Sequence, residues 1–154
     1  MDILLREVAD GDVPVFFEHQ TDPEAIRMVA HVPRDKDAFT AHWVKIGRDP
    51  AVSQKAIVFE GKLAGYVGSF ERNGKREVCY WLGRDFWGKG IATAGLRAFL
   101  DEEKRRPLWA LAAKRNPASA RVLEKCGFKI VGEDSYANAL GERIEEFVLK
   151  LENA

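Results

Sequence analysis

The stretch Tyr80–Leu100, YWLGRDFWGKGIATAGLRAFL, constrains the fold more than any other part of the chain. It reads as a strand, a glycine-rich turn and a helix. Val78, Tyr80 and Leu82 alternate with Glu77, Cys79 and Trp81, and Val, Tyr and Trp suit a pleated, half-buried strand. Gly83 ends that run. Gly88 and Gly90 supply backbone conformations that a Cβ disfavours. From Ile91 the apolar residues recur at helical spacing through Leu96, Phe99 and Leu100. A helix start presents N–H groups without intrahelical partners at the positive end of the helix dipole. Glycines just ahead of it let a phosphate come close to those donors. Arg84 and Lys89 add positive charge, and Asp85 opposes it. The stretch is the outline of a pyrophosphate cradle.

The rest of the chain supplies a sheet and helices around this unit. Residues 2–8 predict a short strand. Asp10 or Asp12 is placed to cap a helix with Pro14 in its first turn and Val13, Phe16 and Phe17 on its buried face. The prolines at 23 and 33 leave room for one short helix, and residues 35–48 predict an amphipathic helix with Phe39, Trp43, Val44 and Ile46 on one side. Three strands follow, 55–60, 63–71 and 76–82, the last two joined at Asn73–Gly74, a strong hairpin signal. Gly65 and Gly68 in the middle strand point to a bulge or a close backbone approach. The helix begun at Ile91 is expected to run into the basic residues Lys104 to Arg106, a solvated helix end stopped by Pro107. A buried strand at 108–113 precedes a helix at 117–126, capped by Asn116 with Pro117 at its first position. Residues 128–133 and 143–151 predict strands, with an exposed loop at 134–141 between them. The order β-α-α-β-β-β-α-β-α-β-β predicts a mixed α/β (α+β) sheet with helices on both faces, in a single domain over residues 1–154.

Composition narrows the function classes. Twenty-four basic residues balance twenty-four acidic ones, which argues against a mainly electrostatic nucleic-acid partner. No apolar run approaches the ~18 residues that span a bilayer, and the acidic N-terminus is unlike a signal peptide. Cys79 and Cys126 read as reduced, buried thiols in a cytoplasmic protein. His19, His31 and His42 lack metal-site spacing, so no metal is expected.

Two familiar phosphate loops fit the glycines poorly. A dinucleotide fingerprint needs its third glycine two positions earlier than Gly95. Gly83, Gly88 and Lys89 match the start of a P-loop, yet Gly90 stands where a magnesium-binding Ser or Thr is required. A nucleotide hydrolase therefore remains only as an alternative.

A third reading fits better. The run Phe86-Trp-Gly-Lys-Gly-Ile-Ala-Thr93, followed by Asn116-Pro-Ala-Ser119 and Glu124-Lys-Cys-Gly-Phe128, resembles the GCN5-related N-acetyltransferase (GNAT) superfamily. It is most similar to the branch of ribosomal-protein N-terminal acetyltransferase-like proteins. The resemblance covers nearly the whole chain and implies a central, mostly antiparallel twisted sheet of about seven strands flanked by about four helices. It implies an acetyl-CoA-dependent transfer to a primary amine, on a small molecule or a protein N-terminus, by direct attack.

Carried onto this sequence, the resemblance assigns acetyl-CoA to Leu82, Gly83, Arg84, Trp87, Gly88, Lys89, Gly90, Ile91, Ala92, Thr93, Asn116 and Ser119. A backbone N–H near Leu82 would stabilise the oxyanion, and Ser119 would meet the leaving thiolate. Glu77 is the first candidate for the base, with Glu71, His31 and a water relay as alternatives. Asp85 and Ala94 depart from the family's usual Gln or Arg and the branch's Glu. Leu123 occupies the position of the tyrosine that many members use as the acid, so another group must serve, or the chain is a CoA-binding module without turnover. The residues also have plainer readings: Phe86 and Trp87 as packing, Asn116 as a helix cap, Ser119 as support for its helix turn, Glu77 as a surface charge. The partners implied are acetyl-CoA and an amine, with no nucleic acid or membrane, and a homodimer is possible.

Overall fold

A computed structural model describes residues 1–29 and 32–152. In chain order the elements are β1 (Ile3–Glu7), α1 (Asp12–Thr21), α2 (Pro23–Val29), α3 (Lys36–Gly47), β2 (Ser53–Phe59), β3 (Lys62–Arg72), β4 (Lys75–Leu82), α4 (Ile91–Glu102), β5 (Leu108–Ala113), α5 (Pro117–Lys125), β6 (Lys129–Ala137) and β7 (Arg143–Leu151). A 3-10 turn, Arg84–Phe86, connects β4 to the glycines before α4. The strands form one seven-stranded sheet in the order β1-β2-β3-β4-β5-β7-β6. All neighbours are antiparallel except β4 and β5. The mixed, mostly antiparallel sheet expected from the sequence is therefore present.

Alternation along the strands sorts side chains onto two faces. Ile57, Val67, Val78 and Leu149 point to one face and pack with Leu96 and Phe99 of α4 and Leu123 of α5. Ala56 and Tyr66 point to the other and meet Phe16 of α1 and Phe39 and Trp43 of α3. The rings of Trp43 and Tyr66 meet edge-on at 4.9 Å, a geometry aromatic quadrupoles favour.

The seam between β4 and β5 shapes everything that follows. Its ladder is a single pair, Glu77 with Trp109. Beyond that pair each strand follows its outer neighbour: β4 stays on β3 as far as Leu82 opposite Gly65, and β5 stays on β7 as far as Ala113 opposite Glu146. The inner edges are left to part. Gly65 allows the β3–β4 approach, since a Cβ there would lie 1.9 Å from the Trp81 carbonyl oxygen. The ladder between β2 and β3 also shifts register there, between Ile57 and Val58. Both features foreseen at this glycine, a bulge and a close approach, occur.

Several boundaries differ from the sequence reading, each for a tertiary reason. Helix α4 stops at Glu102, because the Glu103 side chain turns inward to accept from Ser69 Oγ at 2.9 Å and from Arg105 at 2.8 Å. Residues 104–106 are thus an irregular segment, with the Arg106 guanidinium folded back onto the Glu103 carbonyl. Strand β6 runs on to Ala137, since β7 pairs with it that far, Ala137 opposite Arg143. The connection is therefore shorter than the loop expected at 134–141. Val44 is 47% exposed, while Phe39 and Trp43 carry the buried face of α3. Asp12 is the first residue of α1 rather than its cap. Its carboxylate accepts the Ala9 N–H at 2.8 Å and both terminal guanidinium nitrogens of Arg6. Asn116 sits at the N-cap of α5 without a side-chain capping bond.

Candidate active site

The open end of the seam is a cleft of about 570 Å³, within the range of small-ligand sites. It passes through the sheet and has one wall on each face. On the α4–α5 face it is lined by Tyr80, Leu82, Trp87, Gly88, Gly90 and Ser119. On the other face lie Trp81, Leu111, Tyr136 and Glu146, with Ala25 and Met28 of α2 across from them.

The first wall is made largely of main chain. Gly88 and Gly90 have φ of 72° and 79°, the left-handed region where an ordinary residue is strained. This bends the chain so that α4 begins abruptly at Ile91. Ala94 N–H returns to the Gly90 carbonyl at 3.1 Å, the first bond of the helix. The N–H groups of Gly88 to Thr93 have no backbone acceptor among the described residues. Such a row at a helix start is a ready anion site. The Trp87 indole N–H donates to the Leu82 carbonyl at 3.0 Å, tying this loop to the end of β4.

The register also orients Leu82. Gly83 N–H donates to the Ala64 carbonyl at 2.9 Å, so the 83–64 pair is a hydrogen-bonded one. Antiparallel pairs alternate, so the neighbouring Leu82 N–H turns away from β3 toward β5. No β5 residue pairs with it there, so this donor faces the cleft.

The sequence-predicted residues divide into two groups. Leu82, Trp87, Gly88, Gly90, Ile91, Ala92, Thr93, Asn116 and Ser119 all line the cleft. Gly83, Arg84 and Lys89 do not. Gly83 is packed on the His19 imidazole, whose pKa burial pushes down, and Arg84 reaches Asp22 at 3.4 Å. Glu77 is also absent from the walls. It is buried at the closed end of the seam and held by Arg72 through bonds of 2.6 and 3.0 Å. That placement removes the geometric basis for Glu77 as the base. Glu71, the second candidate, is exposed on β3 and does not line the cleft either. His31 lies outside the described residues.

Two groups were missed by the sequence reading. Tyr80, taken there as a strand residue, places its hydroxyl 2.9 Å from Ser119 Oγ and 3.2 Å from the Ser119 carbonyl. Burial pushes its pKa up to about 12, so the phenol keeps its proton at neutral pH. Glu146 lies on β7 beside Ala113, at the mouth of the β5 edge. Burial first, then the nearby Asp134, raises its pKa above the ordinary carboxylate value. Tyr80 heads the glycine-loop stretch, but the alternation of a strand says nothing of its hydroxyl; Glu146 has no motif around it, and only the pairing of distant strands brings it to the cleft. Leu123 is 1% exposed in the core between α5 and the sheet. Among the described residues no cluster of three or more His, Cys, Asp or Glu is placed to hold a metal ion, and no helix is long and apolar enough to cross a membrane.

Comparison with known proteins agrees with this geometry. Residues 2–129 match the acetyltransferase (GNAT) domain family. YdaF of Bacillus subtilis (strain 168), provisionally named a ribosomal N-acetyltransferase, is 30% identical over 82 residues; the match spans 49% of this chain and 45% of that protein. The uncharacterised N-acetyltransferase p20 of Bacillus licheniformis is 23% identical across 97% of this chain and 92% of its own. Among solved structures, spermidine N-acetyltransferase from Vibrio cholerae in complex with CoA and spermine superposes with a TM-score of 0.84 at 20% identity, covering 98% of this chain and 95% of that one. The chain belongs to the GNAT acetyltransferase domain family.

Proposed function

We propose that this protein transfers the acetyl group of acetyl-CoA directly to a primary amine, with the substrates meeting through the sheet at the β4–β5 cleft. The observation that carries the reading is the row of unpaired donors from Gly88 to Thr93 at the start of α4. These N–H groups would hold the diphosphate of acetyl-CoA, and the parted edges of β4 and β5 would take its pantetheine arm. Trp87, Asn116 and Ser119 line the path toward the reacting carbonyl.

The Leu82 N–H is the oxyanion donor in this reading. A fixed donor in a water-poor site is worth about 2.7–4 kcal/mol to an acyl transfer. The leaving sulfur takes its proton from Tyr80, with Ser119 as the neighbour that shares it. Leu123, being buried among apolar side chains, has no proton to give, so strand β4 supplies the acid in place of α5. Acetyl-CoA supplies the activated thioester; the chain supplies alignment, the oxyanion donor and the proton.

Isothermal titration with acetyl-CoA tests the first step, and the expected result is saturable binding at a single site. Release of free thiol with a panel of amines tests the second. No binding at millimolar acetyl-CoA would overturn the reading. Binding without thiol release would favour a CoA-binding module, and magnesium-dependent phosphate release from ATP or GTP would favour a nucleotide hydrolase.

A further inference from the structure

The second wall of the cleft has a chemistry of its own. Alternation puts Trp81, Leu111, Tyr136 and Glu146 on the face opposite α4 and α5, and Ala25 and Met28 close the space from α2. Among the described residues that line this wall, only Glu146 carries a charge at neutral pH. Among the described residues the cations that line the cleft, Arg121 and Lys125, are both on α5, at the other wall. The Glu146 carboxylate is half-buried and accepts no hydrogen bond from the described residues. Its surroundings are mostly anionic: Asp134 opposite it on β6 and Glu77 on β4 raise its proton affinity, while Arg72 on β3, already paired with Glu77, lowers it. Tyr136 on β6 stands beside it.

We infer that the acceptor is a primary amine on an apolar or aromatic body, with no carboxylate near the nitrogen, and that Glu146 receives its ammonium and takes its proton. The inference rests on the acetyl-CoA reading above. An ammonium is matched by the one carboxylate on this wall, and by the faces of Tyr136 and Trp81. A carboxylate next to the amine would meet Glu146 and Asp134, while of the cations that reach this wall Arg72 is already held by Glu77 and Arg115 acts on Tyr136. The steps balance. Glu146 removes one proton from the ammonium, and the freed lone pair forms the C–N bond at the thioester carbonyl. The C–S bond breaks with its electron pair on sulfur, which takes the Tyr80 proton. Tyr80 is reprotonated, through Ser119 and solvent, by the surplus proton on nitrogen, and Glu146 returns its proton to water.

The test compares phenethylamine with glutamate as acceptors, by thiol release, for the wild type and Glu146→Gln. For the wild type, kcat/KM for phenethylamine should exceed that for glutamate at least ~100-fold, and activity should rise with pH as Glu146 loses its proton. Glu146→Gln should lower kcat/KM for phenethylamine by ~10²–10⁴-fold, the usual worth of a positioned base. It should also remove that acidic limb and leave acetyl-CoA affinity unchanged by titration. Glutamate as the better acceptor, a variant within ~3-fold of wild type, or an unaltered pH profile would each overturn the inference while leaving the acetyl-CoA site intact. Loss of acetyl-CoA binding by the wild type itself would overturn both.

Discussion

The two ends of the β4–β5 seam are built from opposite materials. Around the closed end, charged side chains tie β4 to β3 and β3 to the segment after α4. Arg72 holds Glu77, Arg76 Nε donates to Ser69 Oγ, and Ser69 in turn donates to Glu103, which Arg105 grips from outside. The Trp109 ring lies between the ammonium groups of Lys75 and Lys150, at 4.3 and 4.8 Å. At the open end the facing strand edges carry small or apolar residues, Leu82 on one side and Ala112 and Ala113 on the other, and beside the Tyr80 hydroxyl and the Glu146 carboxylate the polar groups on offer are backbone N–H. One end spends its polar groups on itself and stays shut; the other leaves them for a ligand. The closed end should therefore govern stability and the open end binding and turnover.

The sharpest way to break that division is Tyr80→Phe, which keeps the ring and removes the proton. It should lower kcat by ~10²-fold or more, the low end of positioned acid catalysis, with KM for acetyl-CoA and the melting temperature little changed. Next is Gly90→Val. A β-branched residue in the left-handed region costs about 1–2 kcal/mol and moves the donors, so acetyl-CoA affinity by titration should fall at least ~10-fold. At the closed end, Glu103→Gln should do the reverse. Weakening this buried acceptor costs about 2 kcal/mol, which in a domain of this size lowers the melting temperature by roughly 4–8 °C, with kcat unchanged.

Its pH dependence sharpens the point. Arg105 first, helped by Ser69 and the Arg105 backbone N–H, holds the Glu103 carboxyl down to about 2. A depressed carboxyl stabilises the fold above its unfolded value near ~4.3 and loses that contribution as pH falls toward its folded one. Wild type and Glu103→Gln should therefore converge in melting temperature on acidification from pH 5 to pH 2. The smallest effect is expected for Lys75→Ala, which removes one cation from Trp109 and costs about 0.5–1 kcal/mol by chemical denaturation.

The same division explains what the sequence revealed. The wall proposed to hold the diphosphate is local: Gly88, Gly90 and the start of α4 lie within a few residues, so their chemistry is written contiguously. The hairpin at Asn73–Gly74 and the bounds of β7 were legible for the same reason, through turn chemistry and alternation. The wall proposed to take the acceptor is assembled by topology. Glu146 and Tyr136 arrive because β7 crosses to pair with β5 and β6 extends along it, and no spacing in the chain encodes that. Glu77 misled for a related reason. It leads to the loop in sequence, yet alternation and Arg72 bury it at the far end of the strand. The basic run 104–106 looked like a helix terminus because its charges suit one. A single inward contact from Glu103 to Ser69, thirty-four residues away, overrode that preference.

The two thiols have a practical consequence. Burial pushes Cys79 up to about 11 and raises Cys126 as well, and each sulfur already has a partner, Gln54 Nε2 at 3.8 Å and the Thr93 carbonyl at 3.7 Å. Disulfide reagents react with thiolate, so near neutral pH the unmodified enzyme will consume chromogen slowly. Coenzyme liberated during the reaction can then be followed continuously by colour, without first replacing either cysteine.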